Sequence, residues 1–158
     1  LAEGKIGCEM LGSFIGSLEQ RRKFFNTKID ALNLPLSRLR SLPFHHQFIL
    51  LRDSISKKLL HLLRCMDLTG LDAELSRLDA ILWQVLSDIQ DVQFDFVECK
   101  KAAILNHLPR KLGGFGVTSH IFICDAARKA CTSSALQQLR TVFPGDSRFC
   151  EGPPQAQN

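Results

Sequence analysis

Apolar residues recur along most of the chain at the three- and four-residue intervals of an amphipathic helix. Phe25, Ile29 and Leu32 repeat at i, i+4, i+7, which predicts a helix ending before Pro35. Leu36, Leu39 and Leu42 mark a short helical turn up to Pro43. From Pro43, a residue suited to a helix start, Phe44, Phe48, Leu51, Ile55, Leu59 and Leu62 alternate spacings of four and three. Ile49, Leu50, Leu60 and Leu63 lie off that stripe. This segment is therefore apolar nearly all round and is expected to be the central helix, covered on several sides.

Asp67-Leu-Thr-Gly70 breaks the pattern, and Asp72 is the expected N-cap of the next helix. There Leu75, Leu78, Leu82, Val85 and Ile89 form a one-sided stripe, with Trp83 off its centre. A further helix is predicted from about Val92 to Leu108, carrying Phe94, Val97, Ile104 and Leu105 and stopping at Pro109. A glycine-rich turn, Lys111-Leu-Gly-Gly-Phe-Gly-Val117, then leads to a last helix over about His120–Leu139. Ala126, Ala127, Ala130 and Ser134 give that helix a small-residue face that a neighbouring backbone can approach. At the other end, Ile6–Gly16 holds three glycines in eleven residues and reads as a short strand or hairpin. The expected fold class is all-α, a helical bundle with a short β-like N-terminal segment. Residues 1–17 form the strand or hairpin, 18–142 the helical domain and 143–158 a C-terminal tail, whose Glu151-Gly-Pro-Pro-Gln-Ala-Gln-Asn158 end has linker composition.

At 158 residues, with 45% apolar and 23% charged side chains, the chain can bury one core without disulfide staples. No run approaches the roughly 18 apolar residues of a membrane span, so no membrane partner is expected. Eleven Phe and one Trp but no Tyr exclude any mechanism that needs a tyrosine. Six cysteines without CxxC or regular spacing are not a disulfide framework and suit a reducing, intracellular compartment. The chain opens on Leu1 with no leader-like segment, as a processed protein or a piece of a longer one would.

Charge changes the picture more. Residues 20–66 carry +8, residues 67–99 carry −7, and residues 100–158 carry +5, within a total of only +4. Such asymmetry is the footprint of a surface facing a polyanion. The candidate contacts are Arg21, Arg22, Lys23, Lys28, Arg38, Arg40, Lys57, Lys58 and Arg64, with Arg52 in the same basic half. On a continuous helix Lys57 and Arg64 would face away from the Phe44–Leu62 stripe. The −7 helices are expected to point away from the basic face.

Other constellations read as structure. Asp88, Asp91, Asp95 and Glu98 would share one helical face, where carboxylates can hold two Mg²⁺, but a solvated face explains them. His61/Cys65 and His120/Cys124 are i, i+4 pairs, each half a possible zinc site, and nothing in the sequence brings them together. His45-His46 reads as a polar helix edge, and no Ser/His/Asp or Cys/His signature surrounds a nucleophile. Gly113-Gly114-Phe115-Gly116 lacks the Gly-Lys-Ser/Thr of a phosphate loop. It is expected to reverse the chain with positive φ while Phe115 anchors it in the core and Ser119 caps the following helix. No cofactor and no metal are expected.

The order of motifs resembles the C-terminal thumb region of reverse transcriptases from non-LTR, LINE-type retrotransposons, over about Gly4 to Leu139. Leu11-Gly-Ser-Phe-Ile-Gly16 is similar to the "LGxxIG" stretch where palm passes into thumb. Leu42-Pro-Phe-His-His-Gln-Phe-Ile-Leu-Leu-Arg52 and Lys58-Leu-Leu-His-Leu-Leu-Arg64 resemble the family's "LLR" and "KLxxLLR" segments. An acidic helix containing Asp79 takes the expected place. Leu108-Pro-Arg-Lys-Leu-Gly-Gly-Phe-Gly-Val117 is similar to "LPxxxGGLGI", followed by an Ala-rich helix at Asp125-Ala-Ala. The family's fingers, palm and metal-binding Asp-Asp pair would precede Leu1, and no adjacent Asp-Asp occurs in this chain. The resemblance therefore implies a piece that grips an RNA or RNA/DNA duplex by its backbone without making bonds, and not an enzyme on its own. The alternative it leaves open is a domesticated remnant serving as a structural RNA- or protein-binding component of a large ribonucleoprotein, such as an organellar ribosome. A small enzyme or metal protein is the third possibility.

Overall fold

The computed structural model describes residues 7–91 and 100–146, and these are largely helical. Strands β1 (Gly7–Met10) and β2 (Ser13–Gly16) pair antiparallel, with Gly7 opposite Gly16 and Met10 opposite Ser13. Leu11 and Gly12 join them with φ of 52° and 76°, the double positive φ that a two-residue hairpin turn requires. Seven α-helices follow among the described residues: α1 (Leu18–Asp30), α2 (Asn33–Leu39), α3 (Phe44–Asp53), α4 (Leu60–Cys65), α5 (Asp72–Gln90), α6 (Lys100–His107) and α7 (His120–Val142). None is long and apolar enough to cross a membrane. The all-α fold with a β-like N-terminal segment is thus observed.

The helix carrying Phe25 and Ile29 ends at Asp30, before Pro35 as expected, while Pro35 itself sits in the first turn of α2, where its missing N–H has no intrahelical acceptor to forgo. The expected central helix from Phe44 is broken. It divides into α3, a 3₁₀ turn at Ile55–Lys57, and α4: Ser54 stretches to φ −117° and Leu59 leaves helical geometry at φ −100°, ψ 4°. The buried Ser56 hydroxyl donates to the Arg52 carbonyl at 2.6 Å, a local bond that competes with the helical ladder. Lys57 and Arg64 therefore share no helix face. The break turns Ile55, Leu59, Leu62 and Leu63 into one core, while Phe44, Ile49 and Leu50 stay exposed. Of α3, only Leu51 is buried.

The central element is α5 instead. Leu75, Leu78, Leu82, Leu86 and Ile89 are buried on it, and so are Trp83, Glu74 and Asp79, whereas Val85 is only half-buried. Leu71 occupies its N-cap position, so Asp72 is the first helical residue and not the cap. Asp91 ends the helix in left-handed geometry (φ 51°), which interrupts the expected row of carboxylates after Asp88. Phe94, Asp95, Val97 and Glu98 lie outside the described residues, as does the 147–158 part of the predicted tail. On α7, Ala127 is half-buried, whereas Ala126, Ala130 and Ser134 are exposed; the small-residue face is not what meets the core.

The glycine turn closes α6. Phe115, Gly116 and Val117 donate their N–H groups to the Leu105, Leu108 and Asn106 carbonyls at 2.9–3.0 Å, satisfying acceptors that a helix end leaves unpaired. Gly113 and Gly116 have φ of 81° and 73°. Gly114 is needed for space, since a Cβ there would lie 2.1 Å from the Leu108 carbonyl oxygen. Phe115 does not enter the core; it is 43% exposed and packs edge-on against Phe48, ring centres 5.7 Å apart.

Candidate nucleic-acid interface

The nine predicted cations divide into two groups. Arg21 pairs with Asp67 at 2.8 Å, Arg22 with Glu74 at 2.8 Å, Lys28 with Glu9 at 3.4 Å, Arg40 with Asp88 at 2.9 Å and Lys57 with Asp53 at 3.7 Å. Lys23, Arg38, Lys58 and Arg64 have no ion-pair partner among the described residues. The expected separation of the basic and acidic segments is overturned by these pairs. Asp67, Glu74 and Asp88 reach back to α1 and α2, and Arg77 of α5 holds Asp30 at 2.7 Å. Burying the leucines of α5 against α1 and α2 brings opposite charges to the seam, where each pair neutralises locally.

Three neighbourhoods keep a cationic excess. In the first, Arg38 of α2 and Lys58 border a groove of about 440 Å³ whose walls include Leu34, Leu42 and Leu50, all exposed. In the second, Arg52 of α3 forks onto Asp53, its Nε donating at 2.9 Å, and lies over the Phe48 ring at 5.4 Å. The Arg52 guanidinium holds the Asp53 carboxyl below the usual carboxylate range, with Lys57 and Arg110 adding to the effect. Arg110 belongs to the glycine-turn motif, so that motif brings its own charge to this corner.

The third neighbourhood is a cavity of about 340 Å³ between β2, α1, the end of α4 and α7. Phe14, Ile15 and Gly16 form one wall, and Arg21, Arg64 and Arg128 enter from three helices around Asp67. Arg128 Nη1 lies 2.5 Å from Asp67 Oδ1, and Arg21 also donates to the Asp67 carbonyl. Arg128 above all, with backing from Thr69 and Arg21, drives the Asp67 carboxyl down to about 2 against the opposing effect of burial. Sequence reasoning missed Arg128 and Arg110. Both were visible as part of the +5 C-terminal stretch, but helical periodicity gave no hint that α7 would bring Arg128 beside α1 and α4.

A fourth constellation is the most buried and is structural. Asp79 of α5 accepts from Ser119 Oγ at 2.8 Å, from the His120 and Ile121 N–H groups at 2.9 and 3.2 Å, and lies 2.8 Å from His120 Nδ1. Burial pushes the Asp79 carboxyl up, but these donors, His120 foremost, outweigh it and leave it below the usual range. Ser119 and His120 both address the carboxylate rather than each other, so no hydroxyl faces an imidazole base as nucleophilic catalysis needs. Ser119 Oγ also accepts from the Phe122 N–H at 3.5 Å, so the expected cap is present. Together they tie the start of α7 onto α5.

The two His/Cys pairs stay apart in role. Cys65 Sγ donates to the His61 carbonyl, while His120 belongs to the Asp79 joint. Among the described residues no three His, Cys, Asp or Glu side chains converge as metal ligands would. His45 and His46 are exposed at the start of α3. No protein-family model, curated protein or solved structure matches the chain.

Proposed function

We propose that this chain is a thumb-like nucleic-acid-binding module, similar to that of LINE-type reverse transcriptases, which holds an RNA or RNA/DNA duplex by its backbone. One observation carries the reading. Three segments that bear the resemblance line a single cationic cavity: Leu11–Gly16 through Phe14 to Gly16, the Lys58–Arg64 segment through Arg64, and the Ala-rich helix through Arg128. Lys23, Arg38, Lys58 and Arg64, which no carboxylate among the described residues neutralises, supply phosphate contacts; Arg22 and Arg40 act as internal ties.

Phosphate contacts carry no sequence information, and A-form duplexes are held through phosphates and 2′-hydroxyls. Short RNA/DNA hybrids of unrelated sequence should thus bind equally, with affinity falling steeply as salt rises. Absence of binding at low salt, or strong preference for one sequence, defeats the reading. Taken alone, the chain carries no metal-binding Asp-Asp pair and should extend no primer in Mg²⁺.

A second reading, a structural component of a ribonucleoprotein, draws on the Arg38/Lys58 groove. Its exposed Leu34, Leu42 and Leu50 suit a protein neighbour better than a phosphate backbone.

A further inference from the structure

We propose that the cavity ringed by Arg21, Arg64 and Arg128 is a phosphomonoester site, and that it takes the terminal phosphate of a nucleic-acid strand. The inference rests on the duplex-binding reading and extends it from the backbone of the duplex to its end.

Charge selects the ligand. Three guanidiniums meet one carboxylate, Asp67, which leaves an excess of two positive charges in a concave site. A backbone phosphodiester carries one negative charge, whereas a terminal phosphate carries about 1.5 to 2 at neutral pH. The dianion balances the site; the diester does not. Guanidinium forks also suit the oxygens of a phosphate better than lysine ammoniums would, and the cavity holds no lysine.

The site is organised before any ligand arrives. The Arg21 side chain is only 11% exposed and is fixed through the Asp67 carboxylate and carbonyl, while its Nε is buried without a hydrogen-bond partner. Arg64 lines the opening with no carboxylate partner among the described residues. Thr132, on the same face of α7 as Arg128, places a hydroxyl in the lining, and Phe14 and Ile15 offer an apolar wall to the attached sugar. At about 340 Å³ the cavity falls at the small end of the range of roughly 300–1,000 Å³ for ligand sites, enough for a phosphate and its sugar.

Asp67 then has a defined part. It pairs with both Arg21 and Arg128, and it competes with an incoming phosphate for both. Because its carboxyl lies near 2, it remains charged at any physiological pH. Removing that charge should strengthen phosphate binding, the opposite of what a purely structural ion pair predicts for a ligand site beside it.

The test uses the full chain and one hybrid duplex prepared with either a 5′-phosphate or a 5′-hydroxyl, read by fluorescence anisotropy. Alongside it, adenosine 5′-monophosphate and adenosine are titrated while the arginine Nε–Hε signals are followed by NMR. The phosphorylated duplex should bind roughly tenfold more tightly, the equivalent of about one charge-assisted hydrogen bond. The monophosphate, but not adenosine, should shift arginine signals. Arg128→Gln should abolish the difference between the duplexes, and D67N should widen it. Equal binding of both duplexes by a folded parent, with no monophosphate-specific shifts, overturns the phosphate site and leaves duplex binding standing. Failure of both duplexes to bind at low salt defeats the duplex reading and with it the strand-end assignment. Monophosphate shifts that persist unchanged in R128Q also overturn the proposal, because they place the ligand elsewhere.

Discussion

Asp67 and Asp79 come from the same acidic stretch, and each collects several donors, but the donors differ in kind. Asp79 is 8% exposed and is met by two backbone N–H groups, a serine hydroxyl and one imidazole. Its partners belong to the first turn of α7, so the cluster fixes where that helix starts. Asp67 is about half-exposed and is met by two guanidiniums besides the Thr69 hydroxyl and N–H, with a third guanidinium lining the same cavity. Donor count is similar at both, and the useful distinction is charge balance at an opening. A carboxylate closed over by backbone, hydroxyl and imidazole donors organises a fold, whereas one outnumbered by arginines at a cavity mouth leaves charge for a ligand.

The widest gap between the two should appear in stability. Asp79→Ala strands a buried hydroxyl, an imidazole and two N–H groups, and should cost about 3–5 kcal/mol in denaturant unfolding. Asp67→Ala, at a half-exposed pair, should cost no more than about 1 kcal/mol. Equal losses at the two sites would erase the distinction.

The glycine turn gives the next largest effect, since it carries both the α6 cap and the approach to α7. Gly114→Ala drives a Cβ into the Leu108 carbonyl and should cost about 1–3 kcal/mol. Gly116→Val, at φ 73°, should lose a comparable amount, about 1–3 kcal/mol, through backbone strain. Variants that melt like the parent would mean that the turn fixes nothing, and that the Asp79 joint alone places α7.

Acid sharpens the comparison by a smaller amount. Both carboxyls titrate lower in the folded chain than the ordinary value near 4, so their contribution is present above that pH and is lost as pH falls. For Asp67 the window runs from about 4 down to about 2, with Arg128 as the leading cause. Unfolding free energy measured across this window should fall less steeply for Asp67→Asn than for the parent. Identical slopes would mean that the arginines do not hold this carboxylate.

Much of this fold is legible in the spacing of apolar residues. The hairpin, the α5 stripe, the Ser119 cap and the start of α7 all follow from local pattern and turn chemistry. The supposed central helix shows where that reasoning stops. Its apolar residues keep helical spacing through Ser54 and Ser56, but the buried Ser56–Arg52 bond and the need to point Ile55 and Leu59 inward break it. Periodicity then assigned Lys57 and Arg64 to one face that does not exist. The charge segments misled in a related way. A net count cannot see that Arg40 reaches Asp88 or Arg22 reaches Glu74 across the helix seam, so paired and unpaired cations look alike in the sequence. Arg128 was hidden for the complementary reason: only packing of α7 against α4 brings it to Asp67.

The central claim, that the unpaired cations rather than the paired ones meet the phosphate backbone, is tested most directly by the salt dependence of hybrid-duplex binding. The log–log slope of affinity against salt should flatten by about 0.9 for each contact removed, if values for B-DNA carry over. Replacing Arg38, Lys58 and Arg64 together by Ala should therefore flatten it strongly, while Arg22→Gln with Arg40→Gln leaves it close to that of the parent. A folded Arg38/Lys58/Arg64 variant with the parent's affinity and slope would contradict the account.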